Sequence, residues 1–230
     1  MKTRIGIGSL LAILALLVGL LVLPSIAGPA DNAVDNGDFE GGFKTNGVGV
    51  SWWKFHNCER EEDLCTASFH DDTWAPVVYD GEHSQLLEIN TFCRGASQPN
   101  RYAGIYQTLS VTAGTTYELC MHGLLRSLPG DPDPASWGYT PQVGIDQTGG
   151  TDWSALTVDD WTDVPWDTVH PRTAPPGLDP DLTADEKMDS FCMDVTAESD
   201  SLTLFVRLWK KWPTNNREVL LNLDGITFEG

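Results

Sequence analysis

One segment of the chain, 201–209, alternates aliphatic residues with residues that can bind a ligand. Successive side chains of a β-strand point to opposite faces, so Phe205, Arg207 and Trp209 share one face and the aliphatic residues between them enter the core. Aromatic rings stack on the apolar C–H faces of a ligand, and arginine donates paired hydrogen bonds to its polar groups. This combination is suited to a hydroxyl-rich ring such as a sugar.

A second segment, 116–126, has a similar outward face. His122 and Arg126 lie opposite its apolar side chains, Tyr106 points outward on the preceding strand-like segment, and Trp137 lies in the loop that follows. We expect both segments to contribute to one face. The predicted carbohydrate-binding residues are Trp209, Arg207, Arg126, His122, Tyr106 and Trp137.

Each of these residues also has a purely structural explanation. Trp209, followed by two lysines and a Trp-Pro pair, could belong to an edge strand that packs on the neighbouring loop. Arg207 and Arg126 could pair with carboxylates across a sheet. A lone histidine such as His122 is more often structural than functional. The sequence leaves both explanations open.

The charge balance restricts the classes of ligand. The chain of 230 residues contains 33 Asp and Glu against 14 Lys and Arg, a formal net charge of −19. Nucleic acids, heparin-like sugars and anionic lipids owe much of their affinity to Lys and Arg, so this chain would repel them. Neutral ligands and calcium remain compatible with the charge. The 41% hydrophobic content suffices for a packed core and excludes wholesale disorder.

The N-terminal residues are typical of an export signal. Lys2 and Arg4 precede an apolar run over 5–23, and Ser25 and Ala27 suit a signal-peptidase site. We predict a signal peptide over 1–27, a linker over 28–35 and one domain over 36–230 of a secreted protein. The alternative is an uncleaved anchor in contact with a membrane, because this apolar run is nearly long enough to span a bilayer.

Strand-like segments dominate the rest of the chain. Alternation with a period of two recurs between turn residues, and no helical stripe follows the signal segment. The predicted strands are 50–56, 74–79, 85–89, 104–111, 116–125, 142–146, 190–196, 201–210 and 219–228. Their number fits an all-β sandwich of two antiparallel sheets. The tight turn at 111–114 predicts that the strands on either side of it form a hairpin.

A long Trp-rich loop excursion at 127–187 interrupts the strands. It is rich in Pro, Asp and Gly, and only the segment 143–146 is clearly strand-like. Its aromatic residues are Trp137, Tyr139, Trp153, Trp161 and Trp166. Loops of this length within a compact domain are usually functional or mobile. The rings could form a ligand platform or fold onto the sandwich as a satellite core.

Five cysteines in an exported chain indicate disulfides rather than a metal-thiolate site, since no C-x-x-C pair is present. Cys58 and Cys65 flank a short polar loop and are the predicted pair. A second bridge from Cys120 to Cys192, which leaves Cys93 unpaired, is one of several connectivities that the sequence allows.

Five segments occur in an order found in a known family. They are NGDFE at 36–40 with WW at 52–53, GEHSQ at 81–85, GIYQTLSVTAGTTY at 104–117, VGID at 143–146 and LDGITF at 223–228. Together they resemble the galactose-binding-like jelly-roll superfamily, which includes carbohydrate-binding modules of families 4, 9 and 22. The resemblance implies a jelly-roll β-sandwich from about residue 36 onward, with a sugar cleft on the concave sheet or its rim.

The resemblance also implies a structural calcium ion near the place where the chain termini meet. Asp38, Glu40 and Asp224 match the acidic ligands of the family by position. Calcium takes six to eight oxygen ligands, so three carboxylates and loop carbonyls are chemically suitable. The alternative is that Asp38 and Glu40 are solvated and that Asp224 forms a turn.

These patterns predict a non-catalytic protein that binds a neutral polysaccharide or glycan. No nucleophile elbow, zinc-protease motif, P-loop or dinucleotide-binding motif occurs, so we predict that the protein is not an enzyme. One alternative is a structural or adhesive extracellular sandwich that does not bind sugar. Another is a small secreted glycoside hydrolase, whose two carboxylates the sequence cannot identify.

Overall fold

The computed structural model describes residues 32–59, 64–91, 98–127, 138–213 and 217–230. The predicted signal peptide, part of the predicted linker, Cys93 and Trp137 lie outside these ranges. Within the ranges, no helix is long and apolar enough to cross a membrane.

The described residues form eleven β-strands in two sheets. The strands are β1 (Trp53–His56), β2 (Thr66–Asp72), β3 (Ser84–Asn90), β4 (Arg101–Ser110), β5 (Thr116–Ser127), β6 (Tyr139–Asp146), β7 (Trp161–Asp163), β8 (Val169–Pro171), β9 (Asp189–Thr196), β10 (Ser201–Lys210) and β11 (Glu218–Glu229). One sheet has the order β1-β4-β10-β6-β7, and the other has the order β2-β3-β11-β5-β8 with β9 also paired to β5. The predicted all-β jelly-roll sandwich is confirmed.

Alternation along the strands identifies the side chains that pack between the two sheets, as predicted, although several side chains on the opposite faces are also buried. On β10, the side chains of Leu202, Leu204, Val206 and Leu208 are buried between the sheets. On β5, the same holds for Tyr117, Leu119, Met121 and Leu125. Trp52, which directly precedes β1, is fully buried, whereas Trp53, the first residue of β1, is 59% exposed. The opposite face of β10 is also largely covered, since Phe205 is fully buried and Arg207 is 7% exposed.

Two strand predictions differ from the structure. The segment 74–79 contains a 3₁₀ turn, Ala75–Val77, with a proline in its first turn. Proline has no backbone N–H to donate to a sheet ladder, so the segment leaves the sheet. Strand β2 has no predicted counterpart, because Phe69 is its one buried residue and the apolar alternation is weak.

The turn at 111–114 connects the two sheets and does not form the predicted hairpin. Strand β4 pairs with β1 and β10, whereas β5 pairs with β11, β8 and β9. The Val111 N–H donates to the carbonyl of Asp200 at 3.1 Å, and the Gly114 N–H donates to that of Ala197 at 2.7 Å. The turn is thus bonded to the crossover between β9 and β10. The hairpin prediction was wrong because these long-range bonds replace local pairing.

The excursion at 127–187 contains more regular structure than predicted. Strands β6 and β7 extend the five-stranded sheet, β8 extends the six-stranded sheet, and a short helix α1 (Ala184–Lys187) precedes β9. Trp166 and Tyr139 are 5% and 2% exposed and belong to the main core. Trp153 and Trp161 pack over the outer face of the five-stranded sheet. The excursion therefore contributes both to the core and to a surface cleft.

Two disulfides connect the described cysteines. Cys58–Cys65 closes a short loop before β2, as predicted. Cys120–Cys192 joins paired positions on β5 and β9, which selects one of the connectivities that the sequence left open.

Reduction of Cys120–Cys192 should cost more stability than reduction of Cys58–Cys65. The cross-linked residues are 72 and 7 positions apart, respectively. The entropy that a cross-link removes from the unfolded chain grows with the logarithm of loop length, which gives a difference of about 2 kcal/mol. The variants C58A/C65A and C120A/C192A each retain one of the two disulfides. Urea unfolding of each variant with and without dithiothreitol measures the loss, and equal losses would contradict this expectation.

Candidate functional site

The outer face of the five-stranded sheet carries rows of aromatic and polar residues. Strand pairing aligns Trp53, Tyr106, Phe205, Gly144 and Trp161 in one row, and Phe55, Gly104, Arg207, Gln142 and Asp163 in the next. In a third row, Trp209 pairs with Tyr102. Residues that are far apart in the sequence therefore lie side by side because five strands share one register.

Two glycines leave space for rings that lie across the sheet. A Cβ at Gly104 would lie 2.3 Å from Phe55 Cζ, and a Cβ at Gly144 would lie 2.8 Å from the Trp161 ring. Real Cβ contacts are longer than this, so both positions require glycine. Trp161 can consequently extend across β6 and reach Arg207 on β10.

The guanidinium group of Arg207 lies between two aromatic rings. Its Cζ is 3.4 Å from the centre of the Trp161 ring and 4.1 Å from the centre of the Tyr102 ring. Arg207 Nε donates a hydrogen bond to Gln142 Oε1 at 2.7 Å. Gln142 Nε2 in turn donates to Asp163 Oδ1 at 2.7 Å. These contacts hold the guanidinium group in one orientation.

The charge of Arg207 is only partly compensated by the described residues. The bond to Gln142 is its one hydrogen bond to them, and none of their carboxylates forms a salt bridge with it. Burial lowers the pKa of Arg207 to about 10, so the group remains protonated at neutral pH. The four N–H groups on its terminal nitrogens are therefore available to a ligand.

A loop of the excursion encloses this arginine in a cleft. The Trp153 ring centre lies 5.1 Å from that of Phe55 and 5.6 Å from that of Tyr102. On the other side, Tyr102 and Trp209 are stacked with ring centres 6.0 Å apart. The cleft has a volume of about 300 Å³ and is also lined by residues from 154–158. This volume is at the lower end of the range for small-molecule sites.

Three of the predicted carbohydrate-binding residues lie on this sheet. Arg207 and Trp209 line the cleft. Tyr106 lies beside it, with its ring centre 5.4 Å from that of the fully buried Phe205. Trp137 lies outside the described residues. Strand β10 is central in its sheet, so Trp209 does not lie on an edge strand.

The other two predicted residues, Arg126 and His122, lie on the opposite side of the sandwich. Both are on β5 in the six-stranded sheet. The expectation that they share one face with Arg207 was wrong, because the connection between β4 and β5 passes from one sheet to the other. The His122 ring stacks on Tyr79 with centres 3.6 Å apart, and burial lowers its pKa.

Three aromatic residues of the cleft were not identified from the sequence as ligand-binding residues. Tyr102 precedes Tyr106 by four positions on the same strand, so period-two alternation was a signal that could have found it. Trp153 and Trp161 were recognised only as part of the excursion. Nothing in their local sequence indicates which rings of the excursion cover the sheet and which enter the core.

The three predicted calcium ligands do not form a ready-made cluster. Among the described residues, the only group of three potential ligand side chains within 4.8 Å of one another is Glu118 with Cys120 and Cys192, and the two cysteines form a disulfide. Asp38 Oδ1 accepts the N–H of Glu40 at 3.2 Å. The predicted triad of Asp38, Glu40 and Asp224 is therefore not assembled as a set of converging carboxylates.

Glu40 and Asp224 nevertheless hold the same loop. Glu40 Oε1 accepts the N–H groups of Glu82 and His83 at 2.8 and 2.9 Å. Asp224 Oδ2 accepts the N–H of Tyr79 at 2.8 Å. Burial raises the pKa of Asp224 to about 7, and the negative charge of Glu40 adds to the shift. A cation beside the two carboxylates would therefore stabilise their charged forms.

No protein-family model and no curated protein matches the chain. Several solved structures resemble it. TmCBM61 in complex with β-1,4-galactotriose has 10% identity and a TM-score of 0.44, over 86% of this chain and 98% of that chain. A Family 16 Carbohydrate Binding Module-2 has 16% identity and a TM-score of 0.43, over 86% and 100%. The K1 cleaved adhesin domain of Lys-gingipain from Porphyromonas gingivalis W83 has 12% identity and a TM-score of 0.43, over 84% and 95%. These likenesses concern the fold, and we infer function from the residues of the cleft.

Gly144→Ala should disturb the cleft by displacing the Trp161 ring. The added methyl group would lie 2.8 Å from ring carbons, so we expect a loss of about 1–3 kcal/mol in unfolding free energy. Chemical denaturation measures the loss, and near-UV circular dichroism reports the ring. In a Trp161→Ala background the same substitution should cost much less, because the clashing ring is gone. An equal loss of unfolding free energy in both backgrounds would show that the Trp161 ring does not require glycine at position 144.

Proposed function

We propose that the protein binds a carbohydrate in the cleft around Arg207. The observation that carries this proposal is the buried guanidinium group, which has an aromatic ring on each face and four N–H groups without an acceptor among the described residues. Its terminal nitrogens are not among the fully buried side-chain atoms that lack a partner, so they can be reached from the cleft. A ligand with several oxygen acceptors can replace water at these N–H groups, and sugar hydroxyls supply such acceptors.

The walls of the cleft favour a sugar ring over a small ion. Trp153 and Trp209 are partly exposed at its border, where the C–H face of a pyranose can stack on an indole. The net charge of −19 opposes the approach of polyanions. The ligand that we propose is therefore a neutral glycan. A ring would contact the aromatic side chains while its hydroxyl groups accept hydrogen bonds from Arg207.

We further propose that the protein acts outside the cell as a non-catalytic binding protein. Disulfides persist in oxidising compartments, and the described residues form two. The predicted signal peptide at 1–27 agrees with that location. Binding would use rings and a guanidinium group that are already held in place, so no covalent step is involved.

Calcium is a separate proposal that concerns stability. Glu40 and Asp224, whose carboxylates accept N–H groups of the loop at 79–83, would hold the ion, and further oxygen ligands would complete the set that calcium prefers. The role of such an ion would be to fix this loop to the strands. None of the carbohydrate contacts proposed above depends on it.

Trp209→Ala should weaken polysaccharide binding by at least about tenfold, since it removes a stacking ring worth about 1.4 kcal/mol. Affinity electrophoresis in gels that contain soluble β-glucan, xylan or mannan measures the change, and a glycan array extends the search. Trp212→Ala is the matched control, because Trp212 is 51% exposed and does not line the cleft. Its retardation should equal that of the wild type.

Arg207→Lys provides the complementary variant. It keeps the positive charge and removes the planar group that donates paired hydrogen bonds, so binding should also weaken about tenfold or more. Unchanged binding would show that the guanidinium group does not contact the ligand. A wild-type chain that is retarded by no polysaccharide and binds no glycan on the array would refute the proposed function.

Calcium should raise the thermal midpoint of unfolding relative to EDTA by about 5 °C or more at saturating concentration. Differential scanning calorimetry of the wild type measures the shift. Glu40→Gln should abolish the response, whereas Asp38→Asn should retain it, because Asp38 does not bind the loop at 79–83. An identical unfolding midpoint in calcium and in EDTA would refute the proposed calcium site.

A further inference from the structure

A second groove lies on the outer face of the six-stranded sheet. It has a volume of about 330 Å³, comparable to that of the cleft around Arg207. Leu86 on β3 and Leu220 on β11 supply its apolar floor. The remaining lining residues are Asp72, Trp74, Arg126, Arg172 and Thr173. The thickness of the sandwich separates this groove from the first cleft, because the two lie on different sheets.

A buried hydrogen-bond network fixes Arg126 in this groove. Its Nη2 donates to Asp72 Oδ2 at 2.9 Å and to Asn222 Oδ1 at 2.7 Å, and its Nη1 donates to the carbonyl of Arg172 at 3.2 Å. Asn222 Nδ2 donates to Asp72 Oδ2 and to Ser84 Oγ at 3.1 and 3.0 Å. Arg126 is 3% exposed. A network with its partners in place is rigid, so the groove is preformed.

The border of the groove presents groups that this network does not use. Trp74 is 36% exposed, and its ring centre lies 5.5 Å from Arg126 Cζ. The side chain of Arg172 is 44% exposed. Its Nη1 binds both carboxylate oxygens of the buried Glu218, and its Nε and Nη2 have no acceptor among the described residues. With the exposed hydroxyl of Thr173, the border offers an indole face, hydrogen-bond donors and an acceptor.

The charges in the groove are balanced. Arg126 pairs with Asp72, and Arg172 pairs with Glu218. An anion or a cation would therefore gain little net attraction there. A neutral ligand that bears hydroxyl groups and an apolar ring face can use the indole, the donors and the acceptor together.

We propose that this groove is a second carbohydrate-binding site, so that one chain holds two neutral glycan segments on opposite faces of the sandwich. The choice of ligand class rests on the proposed function of the first cleft. The site itself rests on the geometry of Trp74, Arg126 and Arg172. A chain with two opposed sites can connect two polysaccharide strands without forming an oligomer, and linked sites increase avidity for a multivalent glycan.

Isothermal titration calorimetry tests this proposal by counting bound ligands. The probe is a tetrasaccharide prepared from whichever polysaccharide retards the wild-type chain in affinity gels. We expect two tetrasaccharides per chain for the wild type and for Trp212→Ala. Trp74→Ala and Trp209→Ala should each keep one site at wild-type affinity while the affinity of the other falls at least about tenfold, and both sites should be weakened in the double variant. Trp74→Phe should keep the second site, because it retains a stacking ring.

Thr173→Arg is the second variant for the groove. Thr173 is exposed, so a larger side chain there fills the groove and removes no packed group. It should reduce the stoichiometry from two to one with an unchanged unfolding midpoint. This variant keeps the test decisive if Trp74→Ala proves poorly folded.

The outcomes separate the two sites. One tetrasaccharide per wild-type chain, bound more weakly by Trp209→Ala and unchanged in Trp74→Ala and Thr173→Arg, overturns the second site and leaves the first intact. Binding of one tetrasaccharide that is weakened in Trp74→Ala and unchanged in Trp209→Ala supports the groove and rejects the cleft around Arg207. A wild-type chain that binds no polysaccharide and no array glycan overturns both.

Discussion

The desolvation of Arg207 is the constraint on which the cleft depends. A guanidinium group can be held away from water only if other groups offset its lost hydration. Here Tyr102 and Trp161 cover its two faces, and Gln142 accepts one of its hydrogen bonds. These partners come from three strands, so the arrangement exists only while β4, β10, β6 and β7 keep their register. The N–H groups on the terminal nitrogens of Arg207 remain available to donate hydrogen bonds to a ligand in the cleft.

The two faces of the sandwich use arginine in different ways. Arg126 satisfies its hydrogen bonds within the protein, through Asp72, Asn222 and a backbone carbonyl. Arg207 donates one hydrogen bond to the described residues, which is the bond to Gln142. A satisfied arginine rigidifies the surface around it, whereas an unsatisfied one favours a bound acceptor. This difference explains why we assign direct ligand contact to Arg207 and a positioning role to Arg126, with Trp74 and Arg172 as the contact groups of the second groove.

Much of the fold followed from local patterns. The bounds predicted for β10 agree with the structure, and the alternation on β10 and β5 identified the side chains that pack between the sheets. It did not predict that Phe205, Arg207 and Arg126 on the opposite faces are buried as well. The site was only partly predictable. Arg207 and Trp209 were found because they alternate with core residues, but Trp153 and Trp161 belong to the excursion, where no period shows which way a ring points. Arg126 and His122 were correctly placed on an outward face and wrongly placed on the same sheet as Arg207.

The sequence by itself determined which side chains of each strand face outward, because the two-residue period of a β-strand is a local property of the backbone. It also identified Cys58 and Cys65 as partners, since a short loop brings them together. Only the tertiary structure decided which outward faces belong to one surface. Sheet membership depends on backbone hydrogen bonds between distant segments, such as those that join 111–114 to the crossover after β9. The same turn residues suit a hairpin and a crossover, so their identity alone does not distinguish one from the other.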